Sequence, residues 1–192
     1  RSSKPGQVIA ALRALGFAGV SETALGAEAV SADIAREFND LPKGLRISSA
    51  CPTAVDYIRK YVPEATACIS KVLSPVLAHA TLLRETYGAG IKVVFIGPCI
   101  AKKNEADRHP ELLALALTYP ELRQWWREAG IDPAKMTPGK EDVFVPRVAH
   151  EGALYPIDGG MNETILRQCT NKNVKYATVS GLPNLGLALD GL

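Results

Sequence analysis

The run KVVFI at 92–96 constrains the fold more than any other segment. Its β-branched and apolar residues follow one another without alternation, so a strand built from them is apolar on both faces. Such a strand fits the interior of a parallel sheet, whose strands are joined by helical crossovers. The rest of the chain offers those helices. Residues 7–15 (QVIAALRAL) predict a helix closed by Gly16. Val30, Ile34 and Phe38 recur every four residues and predict a helix over 27–39 with one apolar stripe. Pro52 and Pro75 each open another, because a proline in the first turn lacks only an N–H that has no partner there. Helices are also expected over 120–129, near 160–170 and from Pro183 onward. Further strands are expected over 19–23, 45–50, 113–117 and 174–179. Strands alternating with helices predict an α/β fold, mainly parallel sheets flanked by helices. The Pro-, Gly- and charge-rich stretch 131–151 reads as an irregular connection, so two α/β lobes are expected across 1–192.

Composition narrows the function. Apolar residues make up 47% of the 192 residues and charged residues 22%, the balance of a globular chain rather than a disordered one. A net charge of +2 gives no electrostatic reason for binding nucleic acid or an anionic membrane. No apolar stretch is long enough to span a bilayer, and no secretory signal opens the chain. The four cysteines Cys51, Cys68, Cys99 and Cys169 form no C-x-x-C pair, and a reducing, cytoplasmic setting is expected.

Cys51 and Cys99 share a position that Cys68 and Cys169 lack. Each directly follows an expected buried strand, in RISSA-Cys51-Pro52 and VVFIG-Pro98-Cys99. Loops beyond the carboxyl ends of parallel strands converge on the edge where ligands bind, so both thiols are expected to face a common cleft. A helix beginning after Cys99 brings Lys102 and Glu105 back towards it. Cys68 and Cys169 read as small buried hydrophobes.

These segments resemble the iron-only hydrogenases. That family has a T-S-C-C-P segment, where this chain has Ser48-Ser49-Ala50-Cys51-Pro52. It also has P-C-x-x-K-x-x-E, matched by Pro98-Cys99-Ile100-Ala101-Lys102-Lys103-Asn104-Glu105. Supporting stretches agree in order: AALRALGF at 10–17, Lys-Tyr-x-Pro-Glu at 60–64, Leu73-Ser74-Pro75, EAGID at 128–132 and Gly-Gly-Met-x-Glu at 159–163. The resemblance implies the H-cluster, a [4Fe–4S] cluster joined through a cysteine sulfur to a two-iron unit bearing CO and cyanide. It implies Cys51 and Cys99 as cluster ligands and Lys102 as a hydrogen-bond donor to cyanide, within a pocket that includes Ser48, Ala50 and Pro98. Glu105 is either a neighbour of the cluster or an ordinary i,i+3 partner of Lys102. The implied reaction is reversible oxidation of H2 to protons and electrons, with ferredoxin or a linked iron–sulfur domain carrying the electrons.

The chain also departs from the pattern. The family's remaining cluster cysteines are expected after Leu192 and another segment ahead of Arg1. The chain therefore reads as a piece truncated at both ends, binding no complete cluster and inactive alone. Ala50 stands where catalytic members have a proton-passing cysteine, and Gly97 where a methionine is usual. By resemblance Glu37 and Ser74 occupy proton-relay positions, while a further relay glutamate is replaced by Ile34. Without those features the chain reads as a slow or hydrogen-sensing relative. Glu37 also reads as a solvated side chain, and Ser74 as the cap of the helix opened by Pro75. Two other readings stand beside this one: a non-catalytic iron–sulfur carrier or assembly factor, and a sensor or interaction module.

Overall fold

The computed structural model describes residues 4–40 and 44–189. The chain divides into two compact units, Arg1–Glu22 with Val94–Val148, and Thr23–Val93 with Ala149–Leu192.

The first unit holds a parallel strand where 92–96 predicts one, but among the described residues the sheet is two strands wide, so this strand is an edge, partly buried, rather than a sheet interior. Strand β1 (Val94–Gly97) runs parallel to β2 (Leu115–Thr118), from Val94 opposite Leu115 to Gly97 opposite Thr118. Helix α5 (Ala101–Arg108) lies between them in the chain, and α6 (Tyr119–Glu128) follows β2 at once. Helix α1 (Pro5–Ala14) ends at Gly16, whose φ of +98° is a conformation glycine adopts without steric cost. Ala11 and Leu12 of α1 pack on Leu122 and Trp126 of α6, with Ile96 of β1 against the same cluster. The Trp126 indole donates to the Ala11 carbonyl oxygen (3.3 Å), so the ring is buried without stranding its N–H. Within 131–151 a short 3-10 turn, Pro133–Lys135, is tied to α1 through the Gln7 amide, which donates to the Ala134 carbonyl (3.1 Å).

The second unit is helical. Helix α2 (Ala24–Asp40) buries Val30 and Ile34 of the expected stripe, together with Ala35, against Ile165 of α7 (Gly160–Leu166) and Cys169, while the third stripe residue, Phe38, packs there partly buried. It also packs on α4 (Pro75–Tyr87), where Gly26 lets the backbones meet: a Cβ there would lie 2.1 Å from the Pro75 carbonyl oxygen. Helix α3 (Pro52–Tyr61) places Ile58 against Ala65 of the 3-10 turn Pro63–Cys68 and against Leu189 of α8 (Leu182–Leu189). Among the described residues no helix is long and apolar enough to cross a membrane.

Three expected strands are absent. At 45–50 only a single parallel bridge forms, Ile47 with Ile69, because the Ser48 hydroxyl accepts from the Ala50 N–H (3.1 Å) and turns the chain. At 19–23 the neighbouring segment offers one bond, Val145 N to the Val20 carbonyl (2.9 Å). At 174–179 Val174 and Tyr176 do pack on the core, but the Ala177 carbonyl is taken by the Asn162 amide (3.2 Å) rather than by a strand. Alternation selects a buried face; a ladder needs a second strand beside it.

His79 of α4 is buried, which pushes its pKa down to about 4. Above pH 6.5 the imidazole is neutral in folded and unfolded chains alike. Below it the unfolded chain gains a proton that the folded one refuses until about pH 4. We expect chemical denaturation of His79→Gln and of the natural protein to diverge over this range. The natural protein should lose up to about 3 kcal/mol more between pH 6.5 and 4. Gly26→Ala should cost about 1–3 kcal/mol in the same assay, since backbone must give way.

Candidate functional site

In the first unit, β1 delivers Gly97, Pro98 and Cys99 to the carboxyl edge of the parallel pair, and Cys99 is exposed there. Gly97 is buried, and a Cβ at that position would meet the Phe95 ring at 2.5 Å. Phe95 thus fills the space a larger residue at 97 would take. The Lys102 N–H donates to the Cys99 carbonyl (3.2 Å), closing the first turn of α5. Helical spacing then sets Lys102 and Glu105 one above the other, and both side chains face the interior. Lys102 is 7% exposed, Glu105 8%, and the Lys102 Nζ donates to Glu105 Oε2 at 2.6 Å. The two sequence alternatives for Glu105 differ in burial. It is the i,i+3 partner of Lys102, but in the interior rather than on the surface.

Lys103, the next residue, points elsewhere and is bonded to the Glu121 carboxylate on α6. The other oxygen of Glu121 accepts from the Thr118 N–H (2.8 Å) and hydroxyl (2.7 Å), capping α6. Lys103 first and Thr118 second hold the Glu121 pKa down to about 2.

In the second unit, Cys51 precedes α3, is exposed, and its carbonyl accepts from the Val55 N–H (3.1 Å). The turn into it is built by Ser48, whose hydroxyl donates to Met161 Sδ (3.2 Å), and by Ser49, whose hydroxyl donates to the Val72 carbonyl. Met161 belongs to the Gly-Gly-Met segment, so that motif supports the Cys51 turn. Ala50 is partly buried within the turn.

Glu37 is not simply solvated. One oxygen accepts from the Arg46 Nε (2.8 Å), the other from the Ser70 hydroxyl (3.3 Å). Ser74 is elsewhere: it is 4% exposed and its hydroxyl accepts from the Leu77 N–H (3.4 Å), capping α4 as the local pattern suggested. The serine and cation that meet Glu37, Ser70 and Arg46, were not singled out by the sequence. The parallel bridge of Ile47 with Ile69 brings both into place, since each is the immediate neighbour of a bridged residue. Glu37, Arg46, Ser48, Ser70 and Met161 line one cavity of about 120 Å³. A larger one, about 390 Å³, shares Glu37 and Arg46 with it and adds Asp40 and Lys71.

Cys169 is buried, and its thiol donates to the Asn39 side-chain oxygen (3.4 Å). Cys68 is only half-buried, short of the full burial expected for it. Among the described residues no group of three or more His, Cys, Asp or Glu side chains is placed to hold a metal ion. The donors that suit iron–sulfur chemistry in kind are the exposed thiols of Cys51 and Cys99, with a buried ammonium one turn after the second.

The sequence matches the family described as iron-only hydrogenase large subunit, C-terminal domain, over residues 1–186. It is 33% identical to the periplasmic [Fe] hydrogenase large subunit of Nitratidesulfovibrio vulgaris, over 84% of this chain and 43% of that protein. It is 29% identical to the NADP-reducing hydrogenase subunit HndD of Solidesulfovibrio fructosivorans, over 94% of this chain and 36% of that protein. The chain thus spans less than half the length of these curated relatives. The fold superposes on the apo [FeFe]-hydrogenase of Chlamydomonas reinhardtii with a TM-score of 0.70 and 26% identity, covering 94% of this chain and 51% of that one. The α/β arrangement with its small parallel sheet is therefore the fold of those enzymes, and the chain belongs to the iron-only hydrogenase large-subunit family, C-terminal domain.

Proposed function

We propose that this chain is the part of an iron-only hydrogenase that supplies two cluster thiolates and the inward lysine, and that the whole protein oxidises H2 slowly or senses it. The observation that carries this reading is the buried Lys102–Glu105 pair, one helical turn after an exposed cysteine. Taking an ammonium and a carboxylate out of water is costly, and hydrophobic residues of similar size often serve stability as well or better. A buried cation retained at this place has its reason in a ligand. Cyanide, an anion, is such a ligand, and an ammonium N–H donates to it in a charge-assisted bond.

In this reading Cys51 and Cys99 hold the [4Fe–4S] part of the H-cluster, and thiolate sulfur suits iron by charge and softness. The bound cofactor supplies the redox chemistry that converts H2 to two protons and two electrons. Lys102 orients its N–H through Glu105, which offsets the ammonium charge in the absence of water. Ser48, with Met161 behind it, fixes the turn that presents Cys51. Ala50 holds no exchangeable proton. Glu37 is engaged by Arg46 and Ser70, and Ser74 by its helix cap. Proton transfer requires groups within hydrogen-bond reach, directly or through one water, and the missing thiol leaves a gap. Protons therefore leave slowly, and ferredoxin or a linked iron–sulfur domain takes up the electrons.

A second reading has support of its own. Over 93 residues, 44% of this chain, the sequence is 38% identical to the cytosolic Fe-S cluster assembly factor nar1 of Aspergillus terreus. An assembly factor needs the thiols but has no use for a cyanide-binding lysine.

The two readings separate by infrared spectroscopy. The full-length protein, supplied with the two-iron cofactor, should show CO and cyanide bands, with the cyanide bands shifted in Lys102→Met. Absence of bands overturns the hydrogenase reading and favours the assembly factor. Ala50→Cys should raise H2 turnover by a factor on the order of 10². An unchanged rate removes the proton-gap argument. Independently of any cofactor, Glu105→Ala should cost about 3 kcal/mol in denaturant unfolding by leaving the ammonium without its carboxylate. The double change Lys102→Met, Glu105→Leu should stay within about 1 kcal/mol of the natural protein.

A further inference from the structure

Helix α5 carries two lysines side by side. Lys102 faces the interior and Lys103 the outside, yet as side chains the two are identical. A rotation of the helix by one residue, roughly 100°, exchanges them. The choice between them must come from groups outside the helix, and one carboxylate there bears on it. Glu105 lies on α5 itself and turns with Lys102, so their 2.6 Å contact is kept in any rotation and does not choose between the lysines. Glu121, on α6, takes Lys103 on the other side.

We propose that Glu121 is a positioning residue: by holding Lys103 outside, it fixes the rotation of α5 and commits Lys102 to the interior beside Cys99. The Glu121 side chain is itself rigidly placed. Its second oxygen receives the Thr118 N–H and hydroxyl, and Thr118 is the strand residue paired in register with Gly97. The carboxylate therefore sits at the carboxyl edge of the β1–β2 pair, anchored to the partner of the residue that leads into Pro98 and Cys99. Its acidity agrees with this placement, for the Lys103 bond and the Thr118 bonds stabilise the charged form. That contribution is complete above pH 4.5 and disappears as pH falls through about 2, so the contact persists over the working range. Lys103 and Glu121 are partly exposed, at 36% and 42% of their side chains, and such a pair contributes little to overall stability. The pair adds an outward tie to a rotation that the buried Glu105 and Ala106 of α5 also favour, since turning the helix would expose them.

The cap and the pin are separable. Lys103→Met leaves Thr118 and Glu121 intact, removes the outer ion pair, and offers the interior an apolar side chain in place of a second ammonium. Glu121→Gln keeps an acceptor for Thr118 but removes the charge. Thr118→Ala weakens the cap and keeps the ion pair. The test is pulsed amine labelling of the full-length protein without cofactor, read lysine by lysine by peptide mass spectrometry, with Lys60 as an exposed reference in the other unit. In the natural protein Lys102 should label at least tenfold more slowly than Lys103. Lys103→Met and Glu121→Gln should each speed Lys102 labelling at least fivefold relative to Lys60, and Thr118→Ala should leave it within twofold. Lys102 labelling unchanged in both charge variants overturns the proposal. So does equal acceleration in Thr118→Ala, which would make the cap, not the ion pair, the determinant. A variant that fails to fold labels every lysine fast, and the remaining charge variant then decides by the same threshold. The importance of an inward Lys102 rests on the proposed hydrogenase reading. The labelling needs no cluster, so absent infrared bands with protected Lys102 would sink that reading alone.

Discussion

A buried ammonium beside a buried carboxylate is the constraint around which the first unit is arranged. Such a pair persists only if geometry keeps the two groups together and away from apolar surroundings that neither tolerates. Lys102 and Glu105 meet that condition because α5 is short, starts directly at the cysteine turn, and is tied to the sheet edge through Cys99 at its start. Each tie also serves the presentation of the thiol. The parallel pair is only two strands wide, but its carboxyl edge is where the turn, the lysine helix and the α6 cap all begin.

The second unit solves a different problem. Among its described residues no sheet presents Cys51, so a serine-rich turn does so, braced by Met161 and by a single parallel bridge. The carboxylate of Glu37 joins that bridge from α2 by accepting from Arg46 on one segment and Ser70 on the other. Glu37 is thereby a clasp between the two segments.

Much of this was legible in the sequence where one local signal sufficed. The apolar run at 92–96 marked the parallel strand, the four-residue stripe marked α2, and Pro52 and Pro75 marked α3 and α4 at their first residues. The Pro-Cys-x-x-Lys-x-x-Glu spacing placed Lys102 and Glu105 on one helical face. The strands at 19–23, 45–50 and 174–179 failed because local residue preference cannot report whether another strand lies alongside. Ser74 and Ser70 illustrate the same limit. Both precede helices or turns by the right distance, and only the bridge between Ile47 and Ile69 decides which hydroxyl reaches Glu37.

By itself, the sequence marked which residue types stand together: two cysteines next to prolines, a lysine and a glutamate three apart, and an alanine beside the first cysteine. Those are properties of side-chain identity and of helical or strand period, which act over a few residues. Tertiary structure alone decided the burial of Lys102, the engagement of Glu37 by Arg46 and Ser70, and the partition of two adjacent lysines between interior and surface. Each of these depends on a partner far along the chain or on desolvation by packed neighbours, and neither leaves a local mark in the order of residues.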